Sequence, residues 1–163
     1  MSTMNVLICQ QPKELVWKQR EIPIPGDNEA LIKIKSVGIC GTDIHAWGGN
    51  QPFFSYPRVL GHEICGEIVG LGKNIADLKN GQQVAVIPYV ACQQCPACKS
   101  GRTNCCEKIS VIGVHQDGGF SEYLSVPVAN ILPADGIDPQ AAALIEPFAI
   151  SAHAVRRLSL IHI

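Results

Sequence analysis

Four thiols are crowded into a stretch too short to bury a core of its own. Cys92, Cys95 and Cys98 recur as C-x-x-C-x-x-C, and the pair Cys105-Cys106 follows one short loop later. A tetrahedral zinc ion solves that folding problem, because thiolates at about 2.3 Å from the metal replace the apolar burial that the segment lacks. Sulfur in all four positions leaves none for a substrate, so such a centre is structural. A redox C-x-x-C pair, or thiols packed as small hydrophobes, requires neither the third cysteine in register nor a fourth nearby. A bacterial iron–sulfur run places proline after its last cysteine, whereas Glu107 follows Cys106.

Nothing in the composition competes with that reading. The chain has 163 residues, 47% of them hydrophobic and 17% charged, enough apolar material for one domain with a real core. A formal charge of -1 and the lack of any like-charge run exclude a long-range pull toward nucleic acid or an anionic membrane, leaving small molecules as the expected partners. No apolar stretch approaches the roughly 18 residues that span a bilayer, and Met1-Ser2-Thr3-Met4-Asn5 lacks the regions of a signal peptide. The expected location is therefore cytoplasmic, where the eight cysteines stay reduced and clustered ones serve metal rather than disulfides.

The fold expected from the residue pattern is mainly β with short helices. Val6–Cys9, Leu15–Arg20 and Ala30–Val37 are short runs between Pro and Gly punctuation, the last alternating apolar residues with Lys33 and Lys35. Ile64–Leu71 and Val84–Pro88 continue the pattern around a Lys79-Asn80-Gly81 turn, and Phe120–Val126 follows Asp117-Gly118-Gly119. So many short strands suggest a barrel or a folded-over sheet. Helix is expected only after Asp138, which precedes Pro139 as an N-cap, with a second helix from near Pro147.

A second set of metal-capable residues sits at predicted strand ends. Gly38-Ile39-Cys40-Gly41-Thr42-Asp43-Ile44-His45 follows one strand, and Gly61-His62-Glu63 precedes another. Alone, a histidine is more often structural and a buried cysteine more often core. Together, Cys40, His62 and a carboxylate, Glu63 or Glu146, make the mixed sulfur, nitrogen and oxygen set that leaves a catalytic zinc one open position. An open zinc polarises an alcohol oxygen and lowers its proton affinity, after which hydride can leave.

Gly61-His62-Glu63-Ile64-Cys65-Gly66, with Gly72 and Ile75 at matching offsets, resembles the signature of the zinc-dependent medium-chain alcohol and polyol dehydrogenases. The Cys40-Gly41-Thr42-Asp43 and four-cysteine segments match in the same order, so the resemblance runs from about Met4 to Arg157. It implies a GroES-like β-barrel catalytic domain over 1–146 and the start of a linking helix over 147–163, with the Rossmann domain missing. It makes Cys40, His62 and Glu146 ligands of a catalytic zinc, with Glu63 an adjacent or exchanging ligand. Glu146, in Ile145-Glu146-Pro147-Phe148, stands where many alcohol dehydrogenases have Cys; sorbitol and threonine dehydrogenases are better matches, and there the glutamate reaches zinc directly or through water. Thr42 matches the hydroxyl that passes the alcohol proton outward, and His45 the imidazole that completes the relay; otherwise they are a helix-start Thr and a surface His. At the structural site the family spacing selects Cys106, leaving Cys105 an extra residue with which the register could slip. Cys9 and Cys65 read as buried small hydrophobes.

Two zinc ions per chain are thus expected, together with NAD(P) in a full-length, homo-oligomeric parent acting on a secondary alcohol of a polyol or sugar acid. A substrate resembling L-galactonate is favoured, with sorbitol or threonine specificity as the alternative. Gly70-Leu71-Gly72-Lys73-Asn74-Ile75 begins like a dinucleotide fingerprint but lacks its third glycine, so no phosphate cradle is present and the chain alone is expected not to turn over substrate. The tail from Leu158 to Ile163 departs from the family and reads as truncation or foreign sequence. The competing reading is a zinc-binding interaction module without catalysis. Lys99, Arg102 and Lys108 form no dense basic face for it, and Cys40 and His62 would go unexplained. Trp47, Phe53, Phe54 and Tyr56 either shape a substrate pocket or pack beneath a loop, and His115 and His153 could approach cofactor and pocket.

Overall fold

The computed structural model describes residues 2–52 and 54–158. Its elements run β1 (Thr3–Gln11), β2 (Glu14–Glu21), β3 (Glu29–Gly38), α1 (Gly41–Gly48), β4 (Arg58–Val59), β5 (Glu63–Leu71), β6 (Gln83–Val86), β7 (Tyr89–Val90), α2 (Pro96–Lys99), β8 (Ser110–Val111), β9 (Tyr123–Pro127), β10 (Ile131–Pro133), α3 (Pro139–Ala143) and α4 (Ile145–Leu158). Every stretch expected to be a strand contributes to one. Phe120 and the Ile87-Pro88 end fall just outside β9 and β6.

Strict alternation on β1 buries Met4, Val6 and Ile8, so one face of the hairpin with β2 turns inward as period-two patterning requires. The strands form a three-stranded sheet in the order β2-β1-β4, a five-stranded sheet β10-β6-β5-β3-β9, and the small pair β7-β8. The two larger sheets are joined where the Leu7 N–H donates to the Phe120 carbonyl at 2.8 Å and Val6 bridges Ser121. The result is a partly closed barrel. Ile32, Ile64, Ile68, Val84 and Val126 fill its interior. Against this barrel α3 lays Ala142 and Ala143 on Cys65 and Ala85, small side chains that let the helix approach the sheet closely.

The Asp138 carboxylate caps α3 by accepting from the Gln140 and Ala141 amides at 2.9 and 3.2 Å, as its position before Pro139 predicts. Two expectations need correction. Helix is not confined to the region after Asp138: α1 and α2 come earlier, too short for a 3.6-residue apolar period to announce them. Likewise α4 begins at Ile145 rather than near Pro147, because proline fits a helix's first turn, where its missing N–H costs nothing. The boundary expected after residue 146 therefore falls inside a helix. Phe53 and the tail residues 159–163 lie outside the described residues.

Candidate metal centres and active site

The register of β3 on β5 builds the first centre. Gly38, the last residue of β3, pairs with Glu63, the first of β5, so the segment leaving β3 passes directly over the start of β5. Cys40 lies two residues beyond the one strand and His62 one residue before the other. The Cys40 sulfur, a His62 ring nitrogen and a Glu63 carboxylate oxygen all lie within 4.8 Å of one another. His62 and Glu63 are each 7% exposed, and Cys40 is half-buried. Gly38 is needed for this approach, since a Cβ there would run into the Glu63 carboxylate.

One buried carboxylate, not singled out by the sequence, holds the centre's frame. Asp43 is 4% exposed. Its Oδ2 accepts from the Cys40 amide at 2.9 Å, and its Oδ1 accepts from the Gly61 amide at 3.0 Å. It thus ties both ligand-bearing segments to the first turn of α1, while the far end of the helix closes on Gly49 in the left-handed conformation (φ 81°). His62 Nδ1 lies 3.9 Å from the same Oδ1, near it but beyond hydrogen-bond reach. The spacing Cys40-x-x-Asp43, a helix-capping distance, was the available signal.

Thr42 and His45 sit three residues apart on α1 and so share a face. Thr42 Oγ1 and His62 Nδ1 are buried side-chain atoms with no hydrogen-bond partner. His45 is exposed. Glu146 is not within the three-residue group; it stands on the first turn of α4, where its Oε1 accepts from the Tyr89 hydroxyl at 2.6 Å. Burial, then the hydrogen bond to Glu146, hold the Tyr89 hydroxyl's pKa above the usual range, with the Cys40 sulfur near enough to add to the effect. Tyr89 therefore ties Glu146, on the first turn of α4, to β7.

In the second centre Cys92, Cys95, Cys98 and Cys106 bring their four sulfurs within 4.8 Å of one another. Cys105 is exposed and outside the group. Backbone amides aim at the sulfurs: Cys95 N–H at Cys92 Sγ (3.4 Å), and Cys92 and Lys108 N–H at Cys106 Sγ (3.3 Å each). Amide donors at Gln94 and Cys95 lower the Cys92 thiol to about 6, and those at Cys98 and Glu107 lower Cys95. Burial, then the neighbouring Cys95, push Cys98 up to about 12. Four sulfurs this close cannot all ionise unaided, and a divalent cation at their centre removes the conflict. Both donor sets fit zinc: four sulfurs closed around one ion, and a sulfur–nitrogen–oxygen trio with buried, unpartnered atoms beside it.

A family model described as the alcohol dehydrogenase GroES-like domain matches residues 26–136. The chain belongs to that family. Over 160 residues this GroES-like domain is 98% identical to L-galactonate-5-dehydrogenase of Escherichia coli K12, covering 98% of this chain and 47% of the relative. It is 44% identical over 160 residues to an uncharacterized zinc-type alcohol dehydrogenase-like protein of Haemophilus influenzae, covering 96% and 46%. A solved alcohol dehydrogenase (rspB) of Escherichia coli CFT073 in complex with NADH superposes with a TM-score of 0.89 at 40% identity, covering 96% of this chain and 46% of that one. The chain thus spans about half the length of the relatives it matches. Fold class and family agree with the reading of the motifs.

The remaining expectations resolve within the GroES-like domain. Gly72 sends its N–H to the Glu29 carbonyl at 2.9 Å and leads into the turn before β6, not into a helix, so the fingerprint-like run closes a strand end. Phe54 and Tyr56 stack edge to face at 4.8 Å and pack with Ala46 and Leu60 beneath the loop, and the Tyr56 hydroxyl donates to the Ala46 carbonyl. Trp47 lines an apolar recess with Leu7, Leu15 and Ile44. His115 Nδ1 accepts from the Val111 amide at 3.0 Å and serves a turn, while His153 borders a cavity of about 480 Å³ shared with Tyr89 and Glu146.

Proposed function

We propose that this chain is the zinc-binding catalytic portion of an NAD(P)-linked dehydrogenase that oxidises a secondary alcohol of a polyol or sugar acid, of the type of L-galactonate. The observation that carries the proposal is the convergence of Cys40, His62 and Glu63 around one point, with the buried Thr42 Oγ1, two residues on from Cys40, lacking a partner. A purely structural lobe gives no reason for this second, incompletely enclosed donor set. A catalytic unit over 1–146 and a segment over 147–163 that opens with a linking helix belong to the same proposal, the helix itself beginning just before that limit, at Ile145.

Cys40 and His62, with Glu63 or Glu146 as the carboxylate, would hold zinc, which would supply Lewis acidity that lowers the proton affinity of an alcohol oxygen. The chain's own residues do the rest. Thr42 Oγ1, buried and free to donate or accept, takes the substrate hydroxyl proton, and His45, one turn on and exposed, passes it to solvent. Asp43 ties down the backbone at Cys40 and at Gly61, next to His62. Cys92, Cys95, Cys98 and Cys106 hold a structural zinc and touch no substrate. The relatives' NADH-bound structure supports a nicotinamide as hydride acceptor, and the 98% identity supports a sugar acid as substrate. A cytoplasmic, homo-oligomeric parent with no nucleic-acid or membrane partner completes the proposal; the net charge of -1 supports the last part. Among the described residues no helix is long and apolar enough to cross a membrane.

Metal analysis tests the centre. The expected result is two zinc ions per chain, one lost in Cys40→Ser or His62→Ala and the other in Cys98→Ser. One ion per chain, unaffected by Cys40→Ser, would falsify the proposal. In a chain of the relatives' length, the same two substitutions should abolish NAD-dependent oxidation of L-galactonate.

A further inference from the structure

We infer that Tyr89 is a positioning residue of the catalytic metal centre: its hydroxyl holds Oε1 of Glu146 and leaves Oε2 alone to face the ion or a water bound to it. This rests on the proposal that Cys40, His62 and Glu63 hold a metal. Glu146 sits outside the 4.8 Å donor group, and its only described side-chain partner is the Tyr89 hydroxyl at 2.6 Å. The Tyr89 hydroxyl takes one lone pair of Oε1, so Oε2, with no described partner, is the oxygen more open to an ion or its water.

The strut is rigid where it must be. β7 pairs with β8 through Tyr89 and Val111. The buried Asn130 side chain donates to the Ile87 and Tyr89 carbonyls at 2.7 and 3.1 Å, and the Ile112 amide donates to the Pro88 carbonyl at 3.0 Å. The backbone that carries Tyr89 is therefore fixed from both sides. Glu146 stands on the first turn of α4, which is half-buried with Ile145 packed against the Cys65, Ala85 and Ala142 cluster, while the rest of the helix from Phe148 is exposed. Its hydrogen bond to the rigid strand then sets the direction of the carboxylate. Tyr89 is also 40% exposed and shares the 480 Å³ cavity with Glu146, so replacing its hydroxyl disturbs no core.

The experiment is a cobalt(II) titration of the 163-residue chain whose four-sulfur site has first been filled with one equivalent of zinc. Affinity and visible absorption at the second site are read for the unsubstituted chain, Tyr89→Phe, Glu146→Gln and the double variant. Outer partners of metal ligands typically change affinity by about 10–100-fold. The expectation is that Tyr89→Phe weakens cobalt binding by about tenfold and alters the spectrum, and that the double variant is no weaker than Glu146→Gln alone. Unchanged affinity and spectrum in Tyr89→Phe, or losses that add in the double variant, overturn the role of Tyr89 while leaving the centre intact. Failure of the unsubstituted chain to take up the cobalt overturns the centre, and the role of Tyr89 with it.

Discussion

Replacing Asp43 by alanine should both destabilise the barrel and loosen the Cys40, His62 and Glu63 donor group. The side chain accepts from the amides of Cys40 and Gly61 at 2.9 and 3.0 Å and is 4% exposed. Hydrogen bonds to a charged group are worth roughly 1.5–3 kcal/mol each, and a buried donor left unpaired costs its full desolvation. Losing both therefore costs about 3–6 kcal/mol, a large share of the roughly 5–15 kcal/mol of a typical domain. Asp43→Asn keeps the shape but sets an NH2 group against one amide, so it should fall between the two. Urea unfolding of the zinc-loaded chain, at an unchanged m-value, reads the loss as a lowered midpoint. A cobalt titration at the second site reads the loosening, expected at about tenfold or more. Asp43→Ala within about 0.5 kcal/mol of the unsubstituted chain, with undiminished cobalt affinity, would show that backbone pairing alone holds the ligand-bearing segments.

Chelating the four-sulfur site, or Cys98→Ser, should release residues 91–109 while the barrel persists, since the lobe has little apolar core besides its cysteines; limited proteolysis should then cut within that stretch, and unchanged resistance would contradict a metal role. Gly38→Ala should cost about 1–3 kcal/mol and weaken second-site metal, because the new methyl displaces the Glu63 carboxylate; a urea midpoint and cobalt affinity matching the parent would refute the close packing. Burial raises the Cys65 thiol above its usual value of 9.0, so the folded state favours the protonated form. Its contribution is intact below pH 9.0 and lost as pH rises through the raised value. Urea midpoints taken across that range should fall, and fall less in Cys65→Ala; equal slopes in both would exclude Cys65 as the source.

The two donor groups were legible in the sequence because they are written in local spacing. Three cysteines at intervals of three, and Gly61-His62-Glu63 against a strand start, survive any arrangement of the rest of the chain. Strands were legible for the same reason: alternation and Gly or Pro punctuation act over a few residues, and β1, β2, β3 and β5 appear where those patterns lie. The short helices α1 and α2 were not, since eight and four residues hold too little period to read.

What spacing could not decide is which distant residues meet. The β3–β5 register places Cys40 over His62, twenty-two positions later in the chain. Folding also made Asp43 the common acceptor for two segments and drew Glu146 to Tyr89 rather than into the donor group. Those choices depend on sheet register and on how a helix lies against a barrel. Both are settled by burying apolar side chains such as Ile32, Ile64 and Val84 together, a long-range cooperative term that no single stretch of residues carries.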